Sequence, residues 1–390
     1  MAFAKAKSRG FGIIYVMPTS KKNTCNSWLN KFFPPPAFLK MNAIGLDISD
    51  SVIRYISFKN KGTRREIDVF GEVAVPEGAM LEGHINKPNV VASVLRGVSD
   101  KLKNKFVRVS LPEEKAYIYQ TQIPKAEGVD IREAVLFSLE ENVPIKPSEA
   151  VFDFVIVPSP NENTDHIDVI VTVIPQKVSE IYELVTTEAG FFPISFEISS
   201  QAIARSVIDP RDNKVRLILN LNETKTGFSI VSKGLVRFTS TVSMGASQID
   251  KTLADLMKIS SNEAKEMKKK SVIEGEQNME MISQLMEIVK PIKDEILKLE
   301  SYWRTHGAGR SGLSKEIVEI IFVGRDTAVP AVAEFFETTV GIKTTVANVW
   351  DNAFSLDDQV PEIDFYHSLD YAGAIGLALG NDGCLEKQNV

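Results

Sequence analysis

Two stretches of this chain repeat one pattern. "IGLDISDSVIRYISF" begins at residue 44 and "LILNLNETKTGFSIV" begins at residue 217. Each reads as a strand rich in β-branched residues, a short polar turn and a second strand. An offset of 173 residues sets Asp47 on Asn220 and Ser49 on Asn222. More strands and then helices follow each hairpin, so the chain divides into two similar α/β halves. Such halves leave a cleft between them, with one hairpin turn entering from each side. A turn presents consecutive backbone N–H groups and short hydroxyls, which suit a phosphate. An acid at the turn suits Mg²⁺ held through water. A ligand bound between hinged halves sets their relative angle.

The rest of the pattern is consistent with α/β halves. "IGLDI", "VIRYISF" and "IDVFGEVAV" predict an antiparallel meander. Residues 89–103 have helical spacing, and 106–112 and 116–123 read as strands. "DIREAVLFSLEENV" predicts a helix with Asp130 as N-cap and Pro144 past its end. "FDFVIV" and "IDVIVTVI" are two strands around a polar turn. The helix "QKVSEIYELVTTEAG" ends on Gly190. "SFEISSQAIARSVI" reads as a further helix. The block 247–305 is helical, with Met281, Leu285, Ile288, Ile292, Ile296, Leu299 and Trp303 on one apolar stripe and Pro291 predicting a kink. Lys268–Lys270 read there as a solvated face. "EIVEIIFVG" is a buried strand, "AVPAVAEFFETTVG" a helix, and "YAGAIGLALG" a tightly packed helix of small residues.

Charge narrows the function classes. Residues 1–40 hold seven Lys/Arg and no acid, which leaves 38 basic against 51 acidic groups in the remainder, a net of −13. A body that acidic argues against nucleic acid as a partner. The basic start reads either as a leader, partly disordered or from an over-extended start codon, or as a contact for an anionic membrane surface. "WLNKFFPPPAFLKM" (28–41) sets three prolines among Trp28, Phe32, Phe33, Phe38 and Leu39. Three prolines favour extended polyproline II, and so many aromatics predict packing on the body or on a partner. No apolar run approaches the roughly 20 residues of a spanning helix. Cys25 and Cys384 form no disulfide framework, and four scattered histidines form no zinc pattern.

The paired hairpins and the motifs after them resemble the actin-like ATPase superfamily, and most closely the type IV pilus assembly family PilM, relatives of the cell-division protein FtsA. The resemblance runs over about 41–380. "GLDIS" with "SVIRYI" looks like the first phosphate motif, and "LILNLNETKTGFSIV…SKGLVRFTSTVSMGASQI" like the second. "IIFVGRDTAVPAVAEFF" looks like the adenosine motif; "VANVW" and "YAGAIGLAL" resemble the closing segments. The stretch from "VSLPEEKAYIYQTQIP" to "VFDFVIV" resembles the small subdomain inserted in PilM and FtsA. The implied fold is α/β and actin-like, a duplicated ribonuclease-H-like fold around a nucleotide cleft. Its implied parts are a leader and arm (1–40), a first half (41–111 and 167–206), the insertion (112–166), a second half (207–246 and 315–390) and a helical subdomain (247–314).

The resemblance implies ATP and Mg²⁺ held by Asp47, Ser49, Asn220, Asn222, Thr226, Gly245, Gly324 and Arg325, with Asp47 facing the metal through water. Gln201 falls where a water-orienting catalytic residue would sit, or is a polar helix residue at a domain junction. Several positions depart from the family. Asn220 and Asn222 replace an Asp-x-Gly, so one acid of two remains and a side chain stands where backbone should approach phosphate. Gly324-Arg325 and Gly245-Ala246 replace paired glycines, and Arg325 either fills the pocket or reaches a phosphate. Phosphoryl transfer needs metal, cradle and positioned water together. The expectation is therefore a scaffold in the cytoplasm, peripheral to the inner membrane, with hydrolysis weak or absent. Its implied partners are the cytoplasmic tail of PilN, the pilus motor ATPases and further copies of itself; contact with the membrane would be indirect or through 1–40. The alternatives are a working Mg-ATPase driving pilus assembly and an FtsA-like division protein.

Overall fold

The computed structural model describes residues 42–380, apart from 63, 127, 158–164, 276–277, 308–313 and 358. The leader and arm expected over 1–40, with Cys25, lie outside the described residues, as does Cys384.

The first half opens with β1 (Ile44–Ile48), β2 (Val52–Lys61) and β3 (Arg64–Ala74), an antiparallel meander. A small hairpin, β4 (Met80–Leu81) and β5 (His84–Ile85), leads to α1 (Pro88–Ser99) and β6 (Phe106–Leu111). The chain then leaves for the insertion: β7 (Tyr117–Pro124), α2 (Ile131–Asn142), β8 (Ala150–Val157) and β9 (His166–Pro175). Asp130 caps α2 as expected, accepting Arg132 N–H at 2.7 Å and Glu133 N–H at 3.3 Å. It returns through α3 (Gln176–Glu188), β10 (Phe192–Ile198) and α4 (Ser199–Val207). The second half runs β11 (Val215–Leu221), β12 (Thr226–Ser232), β13 (Leu235–Val242), then α5 (Ala246–Met257), α6 (Ser261–Ile273), α7 (Met279–Ile288) and α8 (Lys290–Tyr302). It closes with β14 (Glu319–Val323), α9 (Pro330–Val340), β15 (Thr344–Val346) and α10 (Ala372–Leu379).

The two large sheets share one topology. Their orders are β3-β2-β1-β6-β10 and β13-β12-β11-β14-β15. In each, the opening hairpin and third strand are antiparallel, and two parallel strands complete the sheet on the far side of the first strand. The duplication read from the hairpins therefore extends to whole sheets. The insertion forms its own sheet, β7-β9-β8.

Three expectations are corrected. "SFEISSQAIARSVI" is not one helix: its first part belongs to β10, where alternating Phe196 and Ile198 bury beside β6, and only Ser199–Val207 is helical. β9 pairs along its length with β7 and β8, so the insertion's sheet extends to Pro175 rather than ending at 166. Pro291 breaks rather than kinks the helical block. It lies in the first turn of α8, where its missing N–H costs nothing, and α7 ends at Ile288. The predicted stripe from Met281 to Trp303 is buried throughout, in the second half's core.

A separate core joins the halves. Ile56 and Phe58 of β2, Ile203 of α4, Ile218 of β11, Val323 of β14 and Ile375 of α10 belong to one buried cluster. Close approach there depends on small residues. A Cβ at Gly45 would overlap the Ala374 carbonyl, and one at Gly376 the Ala202 carbonyl. α4 and α10 thus cross against β1 at backbone distance, which brings the tips of β1 and β11 to the same side of the molecule.

Candidate functional site

The two hairpin turns face one cleft of about 770 Å³. Asp50 and Ser51 enter from the first turn, Thr224 and Lys225 from the second, and Glu114 and Lys115 from the loop after β6. Both turns therefore reach one cleft, and three of its charged groups are engaged within the protein: Lys225 with Glu114, and Asp50 with the Gly83 N–H.

Asp47, next to the end of β1, lies against α10, and a Cβ at Gly373 would overlap its carboxylate. Burial raises its pKa; Ser110, Arg54 and Lys225 offset part of that rise. The Ser49 hydroxyl donates to the Val52 carbonyl at 2.6 Å, and the Ser49 N–H donates to the same carbonyl at 3.1 Å. Thr226 is fully buried and donates to the Met244 carbonyl at 2.6 Å. Asn220 is half-buried on β11 opposite Gly227. Asn222 closes the second turn, its N–H on the Lys225 carbonyl at 2.9 Å. Gly245 packs on that turn: a Cβ there would overlap the backbone of Glu223 to Lys225.

Gln201 lies on α4. Its amide donates to the Gly234 carbonyl at 3.0 Å and accepts the Val236 N–H at 3.1 Å, tying α4 to the β12–β13 turn. Both ends of the amide are spent on backbone. Gly324 has φ +99°, and a Cβ would overlap the Leu221 carbonyl, so the β14 turn requires glycine. Burial acts to raise the pKa of Glu223 in the second turn, and Arg325, after Gly324, lies close enough to help lower it. Arg325 turns to Asp370. Its backbone N–H and its Nε both donate to Asp370, at 2.9 and 2.5 Å, and Arg54 from β2 meets the same carboxylate at 3.1 Å. Asp370 thereby joins the first and second halves through two guanidinium groups.

Sequence reasoning missed the residues that dominate the cleft. Lys225, in the second turn, is ion-paired with Glu114, which belongs to the loop after β6. Beside it, Glu113 is 4% exposed and packs on bare Gly227; a Cβ at 227 would overlap its carboxylate. Burial pushes the Glu113 carboxyl up to about 7; Lys225 opposes the rise, Glu114 and Asp47 add to it, and Ser200 opposes it. Two consecutive acids that follow β6 thus meet the second half, Glu114 at the β11–β12 turn and Glu113 at the start of β12.

Lys268 is the other correction. The run 268–270 was expected to be a solvated face, yet Lys268 is 1% exposed. Its ammonium lies 2.5 Å from Asp250 of α5 and 2.8 Å from Asp326, two residues beyond Gly324. Burial works to lower its pKa, but Asp326 and Asp250 outweigh it and hold the lysine charged. This triad closes the side of the second half that carries the expected adenosine motif.

The charged groups lining the cleft are acidic on balance, which disfavours a triphosphate. A triphosphate needs uncommitted N–H groups and positive charge, with acids reserved for the metal. Here Asp50, Glu77, Glu82 and Glu114 line the cleft against Lys115 and Lys225, and Lys225 is already paired. The hydroxyls of Ser49 and Thr226 face their own backbone. Among the described residues no group of three or more His, Cys, Asp or Glu is arranged to hold a metal ion.

The family model described as "Type IV pilus assembly protein PilM" matches residues 45–382. The chain belongs to this family. A search of curated proteins finds no match. Among solved structures, the chain resembles one titled "PilM-PilN type IV pilus biogenesis complex", with 17% identity and a TM-score of 0.70, over 87% of this chain and 98% of the other. It also resembles MreB5 of Spiroplasma citri bound to ADP, with 11% identity and a TM-score of 0.50, over 88% and 96% of the two chains. At these identities the likeness speaks for the fold, which is actin-like. Among the described residues no helix is long and apolar enough to cross a membrane.

Proposed function

We propose that this chain is a cytoplasmic scaffold of the type IV pilus assembly platform, peripheral to the inner membrane, and that it works by binding the tail of a PilN-like membrane protein without turning over nucleotide. The observation that carries the reading is the ion pair between Glu114 and Lys225, with Glu113 buried beside it on Gly227. The protein itself supplies the charge that joins the loop after β6 to the second turn, at the cleft where a nucleotide's phosphates and metal would sit in an ATPase. Membership of the PilM family supports the role in pilus assembly.

The seat proposed for the tail is the free edge of the inserted sheet, next to the closely packed seam where Val155, Ile170 and Thr172 meet Ile198, Gln201 and Val236. β8 is an edge strand of the inserted sheet, and an edge strand can accept an extended peptide as an added strand. A structural relative whose title pairs PilM with PilN supports the choice of partner.

The test is calorimetric titration of the full chain with a synthetic PilN-tail peptide and, separately, with Mg²⁺–ATP. The expected result is peptide binding of the same affinity with and without nucleotide, and no heat from nucleotide alone. Micromolar nucleotide binding that disappears in Asp47→Ala would replace the scaffold with a nucleotide-gated switch. Absence of peptide binding would remove the partner.

A further inference from the structure

The arm at 28–41 precedes the family match, which begins at residue 45, and nothing in the proposed function uses it. Its site of departure is defined. The carbonyl of Asn42 accepts the Asn104 side-chain amide at 2.6 Å, just before β6. β1, β6 and β10 are parallel neighbours, with Ile44 opposite Val107 and Phe106 opposite Phe192. Asn42, Phe106 and Phe192 therefore share one end of the first sheet, the end away from the cleft.

At that end two phenyl rings stand in the open. Phe106 is 41% and Phe192 59% exposed, and their ring centroids are 5.9 Å apart. The Phe192 N–H donates to the Lys105 carbonyl at 2.8 Å, so the pair is held on ordered backbone. Phe106 alternates with Val107 and Val109, which fill the first half's core, so it projects to the opposite face. Scattered exposed apolar residues need no explanation, but two rings in contact at a sheet end form a patch.

We infer that residues 28–41 fold back across this sheet end and cover the Phe106–Phe192 pair. Reach permits it. Neighbouring strands are about 4.8 Å apart, so Phe106 lies one spacing from the line of β1 and Phe192 two, roughly 10 Å. Phe38 precedes Asn42 by four residues and spans up to about 14 Å. Leu39 falls inside that radius. Chemistry favours it too. Trp28, Phe32, Phe33, Phe38 and Leu39 flank Pro34–Pro36, and the segment contains no acid. A polyproline segment loses little freedom on docking, and aromatic surfaces are what such segments dock on. The rival covering segment is the chain beyond Gly380, which passes Arg108 on the same strand. Its ten residues offer Leu385 and Val390 among Asp382, Glu386 and Lys387, a poorer match to two phenyl rings.

The experiment places p-benzoylphenylalanine at position 192 of the full chain, an exposed site that tolerates the probe. After irradiation, the monomer-sized band is digested with trypsin and the cross-linked peptide identified by mass spectrometry. The expected partner is the peptide 32–40 of the same molecule. Cross-links to residues 381–390, cross-links found only in a dimer-sized band, or none at all would overturn the inference. Independently, the double variant Phe106→Ser/Phe192→Ser should be cut by trypsin at Lys40 at least tenfold faster than the parent. Cleavage within 42–380 should be unchanged, which reports that the body is folded. Equal rates at Lys40 would also overturn it.

Discussion

Glu113→Gln is the perturbation that tests the reading of the cleft most directly. Glu113 titrates near 7 in the folded chain, against 4.5 for an ordinary glutamate. A carboxyl raised by folding stabilises the fold in its protonated form. That contribution is complete below pH 4.5 and is lost as pH climbs through 7. One pKa unit is about 1.4 kcal/mol, so the loss between pH 5 and pH 8 is roughly 2.5 kcal/mol. Glutamine has nearly the shape of the protonated acid and does not titrate. The parent and the variant should therefore unfold at nearly the same urea concentration at pH 5. Between pH 5 and pH 8 the gap should widen in the variant's favour by roughly 2.5 kcal/mol. Trp303 and Trp350, both buried, report the transition by fluorescence. The reasoning fails if the gap is the same at both pH values. It fails in the opposite sense if the variant is the weaker at pH 8, because Lys225 would then be holding Glu113 ionised.

Other positions give sharp expectations. Lys268→Met leaves Asp250 and Asp326 buried around a vanished cation and should cost about 3–5 kcal/mol in urea unfolding, with much of it restored when both acids become Asn. Arg237 on β13 is 7% exposed, and none of its guanidinium nitrogens has a hydrogen-bond partner among the described residues. Burial pulls its pKa down to about 10, so Arg237→Met should raise stability by roughly 1–3 kcal/mol in the same assay. Gly376→Ala would drive a methyl into the Ala202 carbonyl between α10 and α4; a loss of at least about 1–3 kcal/mol and a lower thermal midpoint are expected.

What the sequence disclosed was local or periodic. The hairpins at 44 and 217 announced themselves because β-branched strands with polar turns carry a period of two wherever they occur. The Met281-to-Trp303 stripe did so because its period is helical. β10 was hidden because "FEI" runs directly into "SSQAIAR", and a strand that feeds a helix without a turn residue leaves no boundary to read. The cleft was hidden for a different reason. Glu113 and Glu114 after Pro112 look like a solvated pair, and Lys225 lies 111 residues from its partner. Ion pairs between distant segments impose no spacing on either one. The one local trace was Gly227, a bare position near the start of a fully buried strand, which marks close approach by something else. Here the visitor is a carboxylate.

That visitor explains how the duplicated architecture persists around an altered cleft. Two halves joined only by α4, α10 and a shared apolar core would be free to hinge unless something bridges their turns. A nucleotide does this reversibly, and its loss would leave the angle unset. In this chain three internal contacts tie the halves together: Lys225 to Glu114, Glu113 onto Gly227 and, outside the cleft's lining, Arg54 with Arg325 on Asp370. Each joins first-half to second-half residues or meets at the closing segment before α10. Buried charge of this kind contributes little net stability, because desolvation offsets attraction. Its effect is on geometry: separating the halves would strand Glu113, Asp370 and their cations without partners. On the proposed scaffold reading, these contacts hold the two halves at one angle, and with them the surfaces that a partner would meet.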